Sequence, residues 1–267
     1  MYKFDGLLIY QSHDDQGIIE IVDQGGIRAL HFGSSSQQSS MNLSEPNQLH
    51  ALYSQAMMAG LMFNDNPQKV LMIGLGGGSI AKFLLHEFPD CRIKAVEFRN
   101  GVLKVARSHF GLPLDQRLKV KIGCGAQHVY QESREHSELY DMIVIDAYDA
   151  DGMSPEISSE SFFDHCHTLL TPQGMLIINL WGTDKPLFEQ VNWHLNHIFQ
   201  YRTLNLPVRN RGNVIGFAFG SSVSRINFSD LITKAQQLEQ RYHLDFSGFL
   251  LEIKRHNAAT LKRIFQT

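Results

Sequence analysis

The chain has 267 residues, a formal net charge of -3 and a hydrophobic fraction of 43%. This length suffices for one large domain with its own core and a smaller appendage. Lysine and arginine are scattered, so the sequence has no basic stripe of the kind that neutralises the phosphates of a nucleic acid. Its apolar runs are short and interrupted by glycine, which argues against a membrane-spanning helix. We therefore expect neither a nucleic acid nor a membrane as partner.

The cysteine content points to a compartment. Cys91, Cys124 and Cys166 are odd in number and widely spaced, which argues against a disulfide framework and against a zinc site. The sequence thus predicts a cytoplasmic protein.

Three short strand-like segments come first along the chain. They cover residues 3–10, 17–23 and 27–32, and the turn-forming stretches between them predict hairpins. The serine- and glutamine-rich stretch 33–40 is expected to be a loop. Residues 1–45 are therefore predicted to form a small antiparallel β-sheet domain.

Residues 46–222 alternate between helical and strand-like patterns. A helix is expected over about 49–63, and apolar strands follow at 70–73, 93–96, 118–122, 142–145 and 175–180. This alternation is typical of a doubly wound, mostly parallel sheet, an α/β fold of Rossmann-like methyltransferase type. Two further segments, 201–206 and 214–219, predict an antiparallel hairpin at its edge.

Residues 223–267 are expected to form a C-terminal helical extension. The pattern predicts a helix near 230–242, then an extended segment and another short helix.

A glycine-rich turn follows the first strand of the alternating region. Residues 70–80 read Val-Leu-Met-Ile-Gly-Leu-Gly-Gly-Gly-Ser-Ile, and Glu97 ends the next apolar segment. Glycine lets the backbone turn tightly and approach a ligand without a Cβ between them. A carboxylate at the following strand end can accept hydrogen bonds from ribose hydroxyls. This order of strand, turn, helix, strand and acid predicts a nucleotide-binding βαβ unit.

Ligands of an open α/β sheet bind beyond the carboxyl ends of its strands. The next two predicted strands end in Gly123-Cys124-Gly125 and Asp146-Ala147-Tyr148-Asp149. We therefore predict a nucleoside site formed by Gly74, Leu75, Gly76, Gly77, Gly78, Glu97, Phe98, Gly123, Cys124, Gly125 and Asp146.

In this order, and after an N-terminal β-domain, these segments resemble the spermidine synthase family over about residues 1–220. Its members transfer an aminopropyl group from decarboxylated S-adenosylmethionine to a diamine and release methylthioadenosine. The resemblance implies that Glu97 holds the ribose and that Asp146 and Asp149 are catalytic, holding and activating the attacking amine. A carboxylate can orient the amine and accept its proton. The resemblance also implies a covering loop at 149–152 and a homodimer.

The sequence departs from the family pattern at several positions. Gly77 stands where the family has an Asp that binds the amino group of the donor, and Cys124 replaces an Asp that reads the adenine amino group. On the acceptor side, Trp181 replaces a Glu and Arg209 an aromatic residue. Buried ammonium groups need carboxylate partners, so Arg209 argues against putrescine as the acceptor unless its side chain points to solvent.

Two other functions stay open at this point. Without an acid at Gly77, the carboxylate of intact S-adenosylmethionine would face no like charge, which is compatible with a methyltransferase that releases S-adenosylhomocysteine. The lost acids at Gly77, Cys124 and Trp181 are also compatible with a non-catalytic nucleoside-binding protein. The presence of both Asp146 and Asp149 speaks against that reading.

A small-molecule acceptor is expected to contact His50, Tyr53, Gln55, Tyr148, Asp149, Trp181 and Arg209. For His50 and Tyr53, helix packing is an equally simple explanation. The run Asp164-His165-Cys166-His167 contains metal-ligand types, but consecutive residues of a helix point in different directions. The sequence therefore predicts no metal site there.

Overall fold

A computed structural model describes residues 4–135, 138–148, 152–222 and 226–266. Its N-terminal strands form an antiparallel sheet in chain order, with β1 at Leu7–Asp14, β2 at Gly17–Gln24, β3 at Ile27–His31 and β4 at Gln37–Asn42. The two predicted hairpins are confirmed. The loop expected over 33–40 is wrong from residue 37 onward, because Ser39 pairs with Leu30 and Ser40 with Ala29. Serine is not a strong strand former, so pairing and burial decide the structure of β4 here.

The larger sheet is mostly parallel, as predicted. Its strands are β5 (Lys69–Ile73), β6 (Arg92–Glu97), β7 (Leu118–Ile122), β8 (Tyr140–Ile145), β9 (Leu170–Trp181), β10 (Thr203–Pro207) and β11 (Asn213–Phe219). The spatial order is β10-β11-β9-β8-β5-β6-β7, and among the described strands of this sheet only β10-β11 and β11-β9 pair antiparallel. The chain therefore reverses its direction of winding between β5 and β8, the position at which such sheets bind ligands.

Helices cover both faces of this sheet. They are α1 (Leu52–Met57), continued by a 3-10 helix at Met58–Met62, and α2 (Ser79–Glu87), α3 (Asn100–His109), α4 (Gly125–Glu135), α5 (Glu160–Leu169) and α6 (Lys185–Ile198). The helix predicted at 49–63 is thus shorter and tightens midway. The run 164–167, which contains residue types that bind metals, lies on α5, and Cys166 is fully buried there.

The C-terminal region is more helical than expected. It contains α7 (Phe228–Tyr242), α8 (Phe246–His256) and α9 (Leu261–Ile264), while β12 (Ile226–Asn227) pairs with β13 (Phe265–Gln266). The extended segment predicted after α7 is wrong. Asp245 caps α8 by accepting the N–H of Gly248 at 2.8 Å, and the apolar side of α8 is buried through Phe246, Leu250 and Ile253.

A separate apolar cluster joins the N-terminal sheet to α3. Ile19, Leu30 and Phe32 of the sheet pack there against Val102 and Phe110. The N-terminal sheet is therefore packed against α3 through a shared apolar cluster. In the described ranges, no helix is long and apolar enough to cross a membrane.

Candidate active site

A cavity of about 280 Å³ lies at the carboxyl ends of β5, β6 and β8. Its lining includes the glycine-rich turn, Glu97 and Asp146, so the three strand ends singled out from the sequence meet in one place. The segment 152–157 contributes another wall. The cavity therefore occupies the expected ligand position of a doubly wound sheet.

The glycine-rich turn is close-packed as well as sharply bent. Gly74 has φ +92°, and a Cβ on it would overlap the carbonyl oxygen of Asp146. A Cβ on Gly77 would lie 2.9 Å from both the Phe110 ring and the Ser39 hydroxyl. Gly74 thus lets the ends of β5 and β8 touch, while the space beside Gly77 is already occupied by Phe110 and by Ser39 from the N-terminal sheet.

Glu97 is 7% exposed and is held by backbone donors. Its Oε2 accepts the N–H of Leu75 at 2.9 Å, and its Oε1 accepts the N–H of Arg99 at 2.9 Å. Burial raises the pKa of Glu97, while these N–H groups lower it in part. The N–H of Gly76 is a third backbone donor to this carboxylate. A carboxylate has about four lone-pair sites, so Glu97 can still accept a hydrogen bond from a ribose hydroxyl.

Asp146 lies at the cavity wall directly after β8. Its Oδ1 accepts the Asn179 side-chain N–H at 2.9 Å, and Asn179 is in turn held by Asn213 at 2.9 Å. The single hydroxyl proton of Tyr53 has two acceptors in reach, the main-chain oxygen of Gln38 at 3.2 Å and Asp146. Burial raises the pKa of Asp146, and the bonds from Asn179 and Tyr53 offset this in part. Such a carboxylate is suited to accept a proton.

Most residues predicted for the nucleoside line the cavity. Those that do are Gly74, Leu75, Gly76, Glu97, Phe98, Cys124, Gly125 and Asp146. Gly77, Gly78 and Gly123 do not line it. Phe98 is 55% exposed beside the cavity and provides an apolar face for a planar ring.

On the acceptor side, Tyr53 and Tyr148 line the cavity, whereas His50, Gln55, Trp181 and Arg209 lie outside its lining. His50 is exposed, and Gln55 donates to the main-chain oxygen of Leu49 at 2.8 Å. Trp181 stands edge-on behind Tyr148, with 6.4 Å between ring centroids.

Of the two orientations that the sequence left open for Arg209, the structure shows the one that points away from the cavity. Its guanidinium lies 3.2 Å from the Glu252 carboxylate and 3.9 Å from that of Asp245, and it is 56% exposed. Asp245 caps α8 and Glu252 lies on it, so Arg209 faces the C-terminal helices. Asp149, with 150 and 151, lies outside the described residues.

The sequence did not single out the contribution of the N-terminal sheet. Phe32, Gln38, Ser39 and Ser40 line the cavity, as does Ser79 at the start of α2. Ser79 Oγ lies 3.3 Å from the main-chain oxygen of Ser40 and 3.5 Å from Ser39 Oγ. The serine-rich composition of 33–40 is the available signal in the sequence, but such a composition predicts a loop.

Comparison with known proteins identifies the family of the chain. The model of the "Spermine/spermidine synthase domain" family matches residues 50–228. The chain belongs to the spermine/spermidine synthase family. It is 35% identical over 246 residues to a polyamine aminopropyltransferase of Chromobacterium violaceum, covering 91% of each chain.

Two solved structures with bound ligands superpose on this chain. A spermidine synthase in complex with the transition-state analogue AdoDATO superposes with a TM-score of 0.65 and 20% identity, covering 97% of this chain and 85% of that one. Human methyltransferase-like protein 13 in complex with SAH gives a TM-score of 0.68 and 29% identity, covering 73% of this chain and 93% of that one. The fold is therefore shared with a spermidine synthase and with a methyltransferase-like protein.

Proposed function

We propose that this protein is an aminopropyltransferase of polyamine synthesis that moves the aminopropyl group of decarboxylated S-adenosylmethionine to an amine. One observation carries the proposal: Asp146 lines the same cavity as the glycine-rich turn and Glu97, with Asn179 bonded to its carboxylate. This placement supports catalysis over the non-catalytic alternative, because a nucleoside site alone has no use for a base at the reacting end.

Each residue at the cavity has a separate role in binding the donor or in the reaction. Glu97 accepts hydrogen bonds from the ribose hydroxyls, Phe98 and Cys124 border the adenine, and the turn at Gly74 lets the donor approach the backbone. Asp146 orients the attacking amine. The amine nitrogen bonds to the propyl carbon next to sulfur as the carbon–sulfur bond breaks. The bonding pair remains on sulfur, which gives methylthioadenosine, and Asp146 accepts the proton that the nitrogen loses.

The outward direction of Arg209 supports a polyamine acceptor. With Arg209 paired to Glu252 and Asp245, the electrostatic objection to a diamine no longer applies. Tyr148 adds an aromatic wall beside Asp146, and an ammonium group binds favourably over such a ring. A diamine is therefore the acceptor class to test first.

The direct test supplies decarboxylated S-adenosylmethionine and a panel of amines to the purified protein. We expect release of methylthioadenosine in equal amount to the aminopropylated amine. The proposal would be rejected if none of the amines gave methylthioadenosine while intact S-adenosylmethionine gave S-adenosylhomocysteine.

Methyl transfer is the second candidate, and a specific observation favours it. The end of the cavity near Gly77 presents the neutral hydroxyls of Ser39 and Ser79. A carboxylate at this place would repel the carboxylate of intact S-adenosylmethionine and so select the decarboxylated donor. Neutral hydroxyls do not repel the carboxylate of intact S-adenosylmethionine. The same assay separates the two activities, since each releases a different thioether nucleoside.

Replacing Asn179 with Ala is expected to move the acid limb of the kcat profile to higher pH. The carboxylate of Asp146 must be ionised to accept a proton, and the hydrogen bond from Asn179 lowers its pKa. Without that bond the pKa of Asp146 rises further, so activity disappears at a higher pH on acidification. The measurement is kcat against pH with one acceptor, whose own ionisation is common to both proteins.

The matched control for this prediction is Asn205→Ala. Asn205 is a partly buried amide on β10 that donates to Asn192 at 3.0 Å, and it does not line the cavity. Its profile is expected to coincide with that of the wild type. An unchanged acid limb in the Asn179 variant would show that this hydrogen bond does not lower the pKa of Asp146.

We also propose a cytoplasmic location and a homodimer. All three cysteines are free, which supports a reducing compartment. The dimer rests on the family resemblance. Light scattering is expected to give twice the 30.3 kDa mass of one chain.

A further inference from the structure

An ion pair joins the N-terminal sheet to the strand end that carries Glu97. We propose that this pair, Asp14 with Arg99, holds Glu97 in place for the ribose, so that Asp14 is a positioning residue for donor binding. The inference deepens the proposed function and rests on its nucleoside-binding part.

The contact has the geometry of a two-point fork. Arg99 Nη2 lies 2.7 Å from Asp14 Oδ1, and Arg99 Nε lies 3.1 Å from Asp14 Oδ2. Nη2 also donates to the main-chain oxygen of Gly17 at 3.0 Å, and the guanidinium carbon stands 4.4 Å from the centre of the Phe32 ring. The N-terminal sheet therefore holds the Arg99 side chain through three different residues.

The backbone of the same arginine holds the ribose acid. The N–H of Arg99 donates to Glu97 Oε1 at 2.9 Å, and Arg99 itself lines the cavity. A displacement of Arg99 would carry with it one of the donors that orient the Glu97 carboxylate. Small displacements of a ligand-orienting group are costly because binding geometry is strict.

Burial makes this pair sensitive to loss of its anion. The Arg99 side chain is 4% exposed, and a buried cation that loses its partner is strongly destabilised. Burial raises the pKa of Asp14, but the hydrogen bonds from Arg99 and from the N–H of Gln16, together with the positive charge of Arg99, keep that pKa below its ordinary value. The hairpin tip is also close to α3, since a Cβ on Gly101 would lie 2.8 Å from Asp14 Oδ2.

The chain offers a matched pair on the same sheet. Arg28 forms an equivalent fork with Asp23, at 2.8 Å for both bonds, and its Nη1 donates to the main-chain oxygen of His109 at 2.8 Å. This second pair also ties the sheet to α3. Neither Arg28 nor Asp23 lines the cavity, so it reproduces the docking contact without the link to Glu97.

The experiment compares Asp14→Asn with Asp23→Asn by isothermal titration of methylthioadenosine, decarboxylated S-adenosylmethionine and intact S-adenosylmethionine. For Asp14→Asn we expect the Kd of each nucleoside that the wild type binds to rise about tenfold, as when a hydrogen bond to a charged group is weakened. The factor should be the same for each, because the ribose is their common part. In turnover, the KM for the donor should rise by a similar factor with kcat within about threefold.

Asp23→Asn is expected to bind these nucleosides within about twofold of the wild type, although both variants melt at a lower temperature. Equal weakening by both variants, or unchanged binding by Asp14→Asn, would overturn the inference. If Asp14→Asn does not fold, Arg99→Lys gives the same comparison, since lysine keeps the charge but cannot form the fork.

The outcome is separable from that of the proposed function. If the wild type binds the nucleosides and Asp14→Asn weakens them, the inference stands even where no aminopropyl group is transferred. If the wild type binds none of the three, the inference and the proposed function both fail.

Discussion

Asp146→Asn is expected to lower kcat about 10³-fold, within the range that a positioned general base contributes. The amide of Asn cannot accept the proton that the amine loses. Its oxygen can still accept the Asn179 side-chain N–H, which lies 2.9 Å from Asp146 Oδ1 in the wild type. Binding of methylthioadenosine should therefore stay within about threefold of the wild type, as for a residue that acts mainly in the transition state.

The control is the same substitution at the other end of the same strand. Asp141 accepts the N–H groups of Gln68 and Lys69 at 2.8 and 3.1 Å, and it does not line the cavity. Asp141→Asn is expected to affect stability with little effect on kcat. The measurement is methylthioadenosine release at saturating donor, below the melting temperature of each variant. A kcat for Asp146→Asn within tenfold of the wild type would exclude Asp146 as the base.

The central parallel strands were predictable because they are buried on both faces, whereas the edge strand β7 is largely exposed. A strand of that kind forms a continuous apolar run, and β5 and β6 differ from the predicted segments by two residues or fewer at either end. β4 gave no such signal, since its strand structure depends on pairing with β3. α8 differs from the predicted extended segment although Phe246, Leu250 and Ile253, which pack in the core, have the i, i+4, i+7 spacing of an amphipathic helix.

The site was predictable where topology alone brings residues together. Gly74, Glu97 and Asp146 each follow a parallel strand, and the carboxyl ends of such strands meet at one edge of the sheet. The direction of Arg209 was not, because its partners Asp245 and Glu252 lie about forty residues further along the chain. Ser39 reaches the cavity from a different sheet, and no local pattern links it to Gly77.

Ser39→Asp is expected to increase the preference for the decarboxylated donor about tenfold or more, measured as the ratio of the Kd of intact to that of decarboxylated S-adenosylmethionine. Ser39 is 6% exposed and lines the cavity, and its hydroxyl lies 2.9 Å from where a Cβ of residue 77 would be. A carboxylate on β4 would thus enter the space toward which a side chain at 77 would project. The Ser79 hydroxyl, 3.5 Å from Ser39 Oγ, can donate to it.

The physical reason lies in the charges of the two donors. Both carry an ammonium group, which a new carboxylate attracts, but only intact S-adenosylmethionine carries a carboxylate, which it repels. Like charges about 4 Å apart interact with roughly 4 kcal/mol at an effective dielectric constant of 20, so a tenfold change needs only about a third of that energy. Ser39→Asn is the control, because the amide has nearly the same shape as the carboxylate without its charge. Its Kd ratio should stay within about twofold of the wild type. Equal Kd ratios for the Asp and Asn variants would show that the ammonium-bearing chain of the donor lies away from β4.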